Sequence, residues 1–137
     1  MSKVWLVTGA ARGLGRAISE AVLAAGDRLV AGARDPGRLA DLAERHGDRL
    51  LPVALDVTDE AAAAQAVAAA RDAFGRIDVL VNNAGGSPPR AAVDTSAAMM
   101  ERAFRFNAVT PFLLSVRAAR AMVDTAGEGA IVNISSR

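Results

Sequence analysis

Three glycines at the junction between a strand and a helix constrain the fold of this sequence most strongly. The apolar run Val4–Val7 gives way, through residues 8–15, to a helical pattern. Gly9, Gly13 and Gly15 have the spacing Gly-x-x-x-Gly-x-Gly. Glycine permits positive φ and close approach of the backbone to a ligand. A helix N-terminus presents unpaired N–H groups and a partial positive charge. The junction therefore predicts a site for the pyrophosphate of a dinucleotide.

The rest of the chain alternates strand-like and helix-like segments, which predicts an α/β fold with a parallel sheet. The predicted strands cover residues 3–7, 28–33, 49–55, 77–81 and 130–134, and the predicted helices cover residues 14–25, 36–45, 59–74 and 96–123. Asp35 and Thr58 are the expected N-caps of the second and third helices. Pro111 predicts a break or kink in the last helix, unless a new helix begins near Asn107 and places it in the first turn.

The bulk composition excludes several classes of function. A chain of 137 residues with a net charge of +1 and interspersed acids and bases has no electrostatic footprint for nucleic acid or an anionic membrane. The absence of cysteine excludes disulfides and thiolate metal sites, and no metal site is predicted. No apolar run approaches the roughly 20 residues of a membrane span, and no signal sequence is recognisable. These features predict a cytoplasmic protein of one domain.

The end of the second strand indicates which dinucleotide is preferred. In a strand–helix–strand dinucleotide site, an acid at this point selects NAD and an arginine accommodates the 2′-phosphate of NADP. Ala33 occupies the expected acid position, and Arg34 follows it. Arg12 in the glycine loop is placed to reach the same phosphate, so the two arginines predict NADP(H), with NAD(H) as the alternative. Asp35 would be a ribose acid if the alignment shifted by one residue, although its position favours a helix cap.

Five motifs in this order give the sequence a resemblance to the classical short-chain dehydrogenase/reductase family, from residue 3 to its last residue. They are the glycine loop 8–15, the third-strand segment 55–59, the Asn-Asn-Ala-Gly motif 82–85, Asn107, and the strand segment 131–136. The resemblance implies a Rossmann-type doubly wound parallel sheet with strand order 3-2-1-4-5. Residues 1–137 would form a single NAD(P)-binding domain that is incomplete at its C-terminus, after the fifth strand.

The resemblance also assigns candidate site residues. The implied cofactor-binding residues are Gly9, Ala11, Arg12, Gly13, Leu14, Gly15, Arg34, Asp56, Val57, Asn83, Ala84 and Gly85. Asp56 would accept from the adenine amino group. The implied catalytic residues are Asn107, which would hold a water in a proton relay, and Ser136, which would hydrogen-bond the substrate oxygen. From the residues alone, Arg34 is also readable as a surface arginine, Asn107 as a kink residue and Ser136 as a strand-end serine.

The activity implied by the resemblance is hydride transfer between a nicotinamide and a carbonyl or alcohol carbon. That chemistry uses a Tyr-x-x-x-Lys motif about a dozen residues beyond the serine. The 137 residues contain no tyrosine, and Lys3 is the only lysine. Loss of a general acid typically lowers the rate by about 10²–10⁴-fold. We therefore expect a truncated chain that is inactive alone, with an exposed fifth strand and one sheet face that lacks a covering helix.

Two alternatives follow from this expectation. The chain is a non-catalytic dinucleotide-binding or interaction module that works as it stands, for example by pairing with a full-length homologue, or it is a non-functional remnant. The family resemblance implies a homo-oligomer. Four large apolar residues recur at helical spacing, which predicts packing in the core or at a subunit interface: Met99, Met100, Phe104 and Phe112.

Overall fold

The computed structural model describes residues 1–135, and within them five strands form one parallel sheet in the order β3-β2-β1-β4-β5. The predicted doubly wound topology and strand order are confirmed. The strands are β1 (Val4–Val7), β2 (Arg28–Ala33), β3 (Leu50–Ala54), β4 (Val79–Asn82) and β5 (Ala130–Asn133). The helices are α1 (Gly13–Ala24), α2 (Ala40–His46), α3 (Glu60–Phe74), α4 (Ala97–Phe104) and α5 (Thr110–Ala126).

Alternating side chains of the central strands build two cores. Leu6 lies beside Val30 and Leu80 in the sheet, and all three pack toward α3 and α5. The neighbouring Val7 and Val81 point to the opposite face, where α1 and α2 cover them. Burial on both faces explains the continuous apolar runs of these strands. Each fully buried aliphatic side chain contributes about 1.5–3 kcal/mol.

Strand β5 differs from the other four strands because all of its residues are exposed. Ile131 is 38% exposed and Val132 is 41% exposed, although β5 pairs with β4 along its whole length. The expectation of an exposed fifth strand at the sheet edge is confirmed for the described residues. The buried Asn82 amide ties this edge down, since its Nδ2 donates to Asn133 Oδ1 at 2.8 Å and to Ser115 Oγ, on α5, at 2.9 Å.

The helix starts confirm one predicted cap and correct another. Asp35 is a cap as predicted, and its carboxylate accepts from the Gly37 N–H at 3.1 Å. The segment that follows is a 3-10 turn, Pro36–Leu39, before α2 begins. The prediction for Thr58 is wrong, because Asp59 caps α3. The Thr58 hydroxyl is instead donated to Asp56 Oδ1 at 2.6 Å, which removes it from the helix end.

Helices α4 and α5 are joined by a π-helical turn, Arg105–Val109, rather than separated by a break. Pro111 lies in the first turn of α5, as the alternative prediction required. Met100, Phe104 and Phe112 are 61%, 65% and 64% exposed, so they do not pack in the core, and the alternative of a subunit interface stays a prediction. Smaller residues of α5, Ala118 and Ala121 among them, take the core-facing positions instead. Among the helices of residues 1–135, none is long and apolar enough to span a membrane.

Candidate functional site

The carboxyl ends of β1 to β4 border a cleft of about 800 Å³, and most of the predicted cofactor-binding residues line it. Those that do are Gly9, Ala11, Arg12, Gly13, Arg34, Asp56, Val57, Asn83, Ala84 and Gly85. Leu14 and Gly15 lie in the first turn of α1 and do not line the cleft. Ligands of open α/β sheets bind at this end of the strands, so the fold gathers the predicted residues where a cofactor is expected.

The three glycines of the loop are required for different physical reasons. Gly9 and Gly13 have φ values of +62° and +57°, a left-handed conformation that disfavours other residues. Gly15 has an ordinary helical backbone but is buried, and a Cβ there would lie 2.0 Å from the Gly9 carbonyl oxygen. A Cβ on Gly13 would meet no atom within 4 Å. The loop is therefore packed against itself at Gly15 and open toward the cleft at Gly13.

The N-terminus of α1 presents its backbone N–H groups without a side-chain cap. Arg12 occupies the N-cap position in an extended conformation, and its side chain makes no capping hydrogen bond. The first turn of α1 contains no acidic residue. An uncapped helix start with a partial positive charge suits a phosphate. The open space at Gly13 and these free donors fit the pyrophosphate of a dinucleotide.

Thr8 is a structural residue of the site that the sequence analysis did not single out. It is 1% exposed, and its Oγ1 accepts from the N–H groups of Asn83 at 3.0 Å and Ala84 at 2.9 Å. The Asn83 amide in turn donates to the Gly9 carbonyl at 3.2 Å. These bonds fix the glycine loop to the loop after β4. The available signal was a threonine at the end of an otherwise apolar buried strand.

Positively charged residues surround the end of β2 where it meets the cleft. Arg12 and Arg34 are exposed and form no ion pair with any residue in the range 1–135. Arg38 also lines the cleft and was missed, because only the turn after Asp35 brings it there. The Asp35 carboxylate lies 3.9 Å from the Arg38 guanidinium while it caps its own turn. Asp35 therefore stabilises its own turn, and it also lines the cleft.

Asp56 is the acidic residue at the end of β3. Hydrogen bonds from the Thr58 hydroxyl and the Thr58 N–H hold the pKa of Asp56 below its ordinary value. Partial burial opposes this shift, and the charge of Arg34 adds to it. Both hydrogen bonds go to Oδ1. Asp56 is thus a charged acceptor at neutral pH, at the position predicted for adenine recognition.

Asn107 lies in the π-helical turn, and its side chain holds the loop after β4. Its Oδ1 accepts from the Gly86 N–H at 2.7 Å, while its Nδ2 donates to the carbonyls of Gly86 at 3.1 Å and Ala103 at 2.9 Å. The side-chain amide is therefore fully engaged with the backbone. Pro111 has no N–H to donate to the Asn107 carbonyl in an α-helical bond. The Asn107 carbonyl therefore lacks its α-helical partner.

Ser136 lies outside the described residues. The segment that leads to it continues β5 at the cleft end of the sheet, since the Ile134 N–H donates to the Asn82 carbonyl at 3.0 Å. Ser135 is exposed there. Asn107 does not line the cleft itself, but its neighbour Phe106 does, and a Cβ on Gly85 would lie 2.9 Å from Asn107 Oδ1. Phe106 is a further lining residue that sequence reasoning missed.

Comparison with known proteins identifies the family. The short chain dehydrogenase family model matches residues 3–137, so the chain belongs to this family, as its sequence predicts. An oxidoreductase of Botryotinia fuckeliana is 50% identical over 95 residues, which are 69% of this chain and 35% of that protein. An uncharacterised oxidoreductase of Mycobacterium tuberculosis is 38% identical and covers 98% of this chain and 52% of its own length.

A crystal structure of a short-chain dehydrogenase from Streptomyces avermitilis superposes with a TM-score of 0.86 at 40% identity. The match covers 98% of this chain and 49% of that one. The chain thus spans between about a third and about half of the length of these relatives. The family uses NAD(P) cofactors and comprises oxidoreductases.

Proposed function

We propose that these residues are the dinucleotide-binding part of an NADP-preferring oxidoreductase that transfers hydride between a nicotinamide and a carbonyl or alcohol carbon. The observation that carries the proposal is the uncapped start of α1, which faces the cleft beside two arginines without acidic partners among residues 1–135. The glycine loop and the N–H groups of α1 would hold the pyrophosphate. Arg12 and Arg34 would hold the 2′-phosphate, and Asp56 would accept from the adenine.

The preference for NADP rests on charge at the end of β2. Arginine and a phosphate form charge-assisted hydrogen bonds worth roughly 1.5–3 kcal/mol each. NAD carries a ribose hydroxyl at the same position and would gain nothing comparable from Arg12 and Arg34. The Asp35 Oδ1 caps the turn at Gly37, which supports the capping role over that of a ribose acceptor. The charge and geometry around the ribose position therefore favour NADP over NAD.

Calorimetric titration of the 137-residue chain with NADP⁺, NAD⁺ and 2′,5′-ADP tests this proposal. We expect NADP⁺ and 2′,5′-ADP to bind at least ~10-fold more tightly than NAD⁺. Arg34→Ala should remove about tenfold of the NADP⁺ affinity and leave NAD⁺ affinity unchanged. Arg71→Ala, which removes an exposed arginine of α3 outside the cleft, is the matched control.

Equal affinity for the two dinucleotides would contradict the assignment of Arg12 and Arg34. Failure to bind any of the three probes, in a chain shown to be folded by circular dichroism, would contradict the binding function itself. Binding of NAD⁺ alone would return Asp35 to the role of ribose acceptor. The three probes therefore test two claims separately: that the chain binds a dinucleotide, and that it prefers NADP to NAD.

The proposed chemistry assigns positioning roles to residues near the loop after β4. A bound dinucleotide supplies the hydride or accepts it. Asn107 would hold the loop at Gly86 and offer its carbonyl to a water of a proton relay, and Ser136 would orient the substrate oxygen. The 137 residues include no tyrosine to act as a proton donor, and Lys3 precedes β1 at the opposite end of the sheet. We therefore propose that the 137 residues alone bind the cofactor without turning it over.

A second candidate function for these 137 residues by themselves is a dinucleotide-binding module without redox chemistry of its own. An assay of NADPH oxidation with a panel of aldehydes and ketones tests the proposed lack of turnover. The expected result for the 137-residue chain is saturable NADPH binding without oxidation above the buffer rate. Sustained turnover would show that residues other than a tyrosine supply the proton.

A further inference from the structure

A second cleft lies beside the dinucleotide cleft, and the proposed function does not use it. It has a volume of about 760 Å³ and lies between α4 and the loop that follows β4. Thr58 and Phe106 line both clefts, so the two spaces share a wall. We name it the arginine cleft, because Arg90, Arg102 and Arg105 line it.

The three arginines bring positive charge to the cleft without a counter-charge. Arg102 and Arg105 are three residues apart along a helical segment and so lie on the same side of it, while Arg90 comes from the facing loop. None of the three forms an ion pair with an acid within residues 1–135. The acids nearest in sequence, Asp94 and Glu101, do not line the cleft.

This arrangement differs from the arginines on the other side of the molecule. Arg16 contacts both Glu20 and Asp41, and Arg45 contacts Asp41 at 3.1 Å. Those guanidinium groups are neutralised by acids on α1 and α2. The arginines of the arginine cleft are left free to meet an external anion.

Most of the remaining lining of the arginine cleft is apolar, with Thr58, Ser87 and Thr95 as the polar exceptions. Met99, Met100 and Ala103 from α4 face Pro88 of the loop, and Phe106 closes the side toward the dinucleotide cleft. Methionine side chains are flexible and polarizable, so they adapt to apolar ligands of different shape. A space with apolar walls and a few convergent charged groups has the composition of a small-molecule site, and its volume falls in the range of about 300–1,000 Å³ for such sites.

We infer that the arginine cleft binds a small amphipathic anion, with an apolar body against the methionines and a phosphate or carboxylate group at the arginines. Arginine matches the planar or tetrahedral oxygens of both head groups. A nucleic acid does not fit, because the chain has a net charge of only +1 and shows no extended basic surface along its sequence. The ligand would lie beside the dinucleotide, across the wall formed by Phe106.

Titrations followed by two-dimensional ¹H–¹⁵N spectra of the 137-residue chain test this inference. The probes are octyl phosphate and octanoate, with 1-octanol and inorganic phosphate as controls that carry only the apolar or only the anionic part. We expect saturable shifts of residues 86–106 with octyl phosphate or octanoate, and at least ~10-fold weaker binding of both controls. The stronger of the two anionic probes identifies the preferred head group.

Substitution of the arginines sharpens the test. The double variant Arg102→Ala/Arg105→Ala should weaken octyl phosphate binding by about tenfold or more, whereas Arg71→Ala should leave it unchanged. Equal binding of 1-octanol and octyl phosphate would overturn the inference, and so would shifts confined to the glycine loop or to the exposed apolar side of α5. Arg12→Ala/Arg34→Ala should retain octyl phosphate binding, so a failure of the dinucleotide proposal is distinguishable from a failure of this one.

Discussion

Helices α1 and α3 both begin at the carboxyl edge of the sheet, but a side chain caps the first turn of α3 and none caps that of α1. The Asp59 carboxylate caps α3 and accepts from the N–H groups of Ala61 at 2.9 Å and Ala62 at 3.2 Å. Helix α1 begins at Arg12, which provides no acceptor and carries a positive charge. Unpaired helix N–H groups are normally satisfied by side chains, water or ligands. This difference supports the proposal that the start of α1 binds an anion from outside the chain.

Of the substitutions that test this difference between α1 and α3, Gly15→Ala should have the largest effect on stability and on dinucleotide binding. A new Cβ 2.0 Å from the Gly9 carbonyl forces the strand, loop and first turn of α1 apart. We expect a loss of about 3 kcal/mol or more in the free energy of unfolding, together with loss of dinucleotide binding. Urea denaturation and calorimetry measure the two effects. Gly37→Ala is the control, because its Cβ would contact only the Asp35 carboxylate, at 3.1 Å. A stable Gly15→Ala variant that binds NADP⁺ normally would disprove the close-packing argument.

Arg12→Asp converts the start of α1 into a capped start like that of α3. The aspartate would accept from first-turn N–H groups and stabilise the chain by about 1 kcal/mol, while it blocks the anion site with a like charge. We expect the unfolding midpoint in urea to rise and the NADP⁺ affinity to fall by about 100-fold. Arg12→Ala removes the guanidinium without adding a cap, so it should lose affinity and leave stability unchanged. A fall in stability of Arg12→Asp would show that the first turn does not accept a cap.

Asp59→Ala, which removes the cap of α3, should lower the stability of the chain without changing its NADP⁺ affinity, the opposite of Arg12→Asp. Removal of its cap should lower the free energy of unfolding by about 0.5–2 kcal/mol. NADP⁺ affinity should remain within about twofold of the original chain, because Asp59 does not line the dinucleotide cleft. Asp59→Asn, which keeps an acceptor at the cap, should recover most of the lost stability. A strong loss of NADP⁺ affinity in a folded Asp59→Ala chain would show that the two helix starts are coupled.

The smallest expected effect is a pH dependence that separates the two dinucleotides. A phosphate monoester loses its second negative charge as the pH falls through about 6, so the attraction between the 2′-phosphate and Arg12 and Arg34 weakens. NADP⁺ affinity should fall by about threefold between about pH 7.5 and 5.5, while NAD⁺ affinity stays constant. Asp56 should not contribute, because Thr58 holds its pKa below the ordinary value and it stays charged over this range. A parallel fall for NAD⁺ would point to a titrating protein group instead.

Much of the fold was predictable because its signals are local. The glycine spacing, the alternation of apolar strands with helical segments, and the cap at Asp35 each depend on residues close in sequence. Whether Thr58 or Asp59 caps α3 was not predictable from the sequence, because both residue types are good N-caps. The hydrogen bond from the Thr58 hydroxyl to Asp56 leaves Asp59 as the cap. The cleft residues Arg38 and Phe106 were missed for a different reason. Arg38 reaches the cleft through the 3-10 turn after Asp35, which the sequence analysis took for the start of a helix, and Phe106 reaches it through tertiary packing that its local sequence does not indicate.

The pairing of β5 has a consequence for the order in which the sheet assembles. Its last bridge joins Asn82 to Asn133, 51 residues away, whereas β1 and β2 are joined by a single short helix. The pairing of β1 with β4 closes an even longer stretch of chain, so loop length alone does not set β5 apart. What does is that the exposed side chains of β5 bury little apolar surface to offset the entropy of ordering the strand. We therefore expect β5 to join the sheet last and to open first. Its backbone amides should exchange with deuterium well before those of β1, whose side chains are buried between two helical layers.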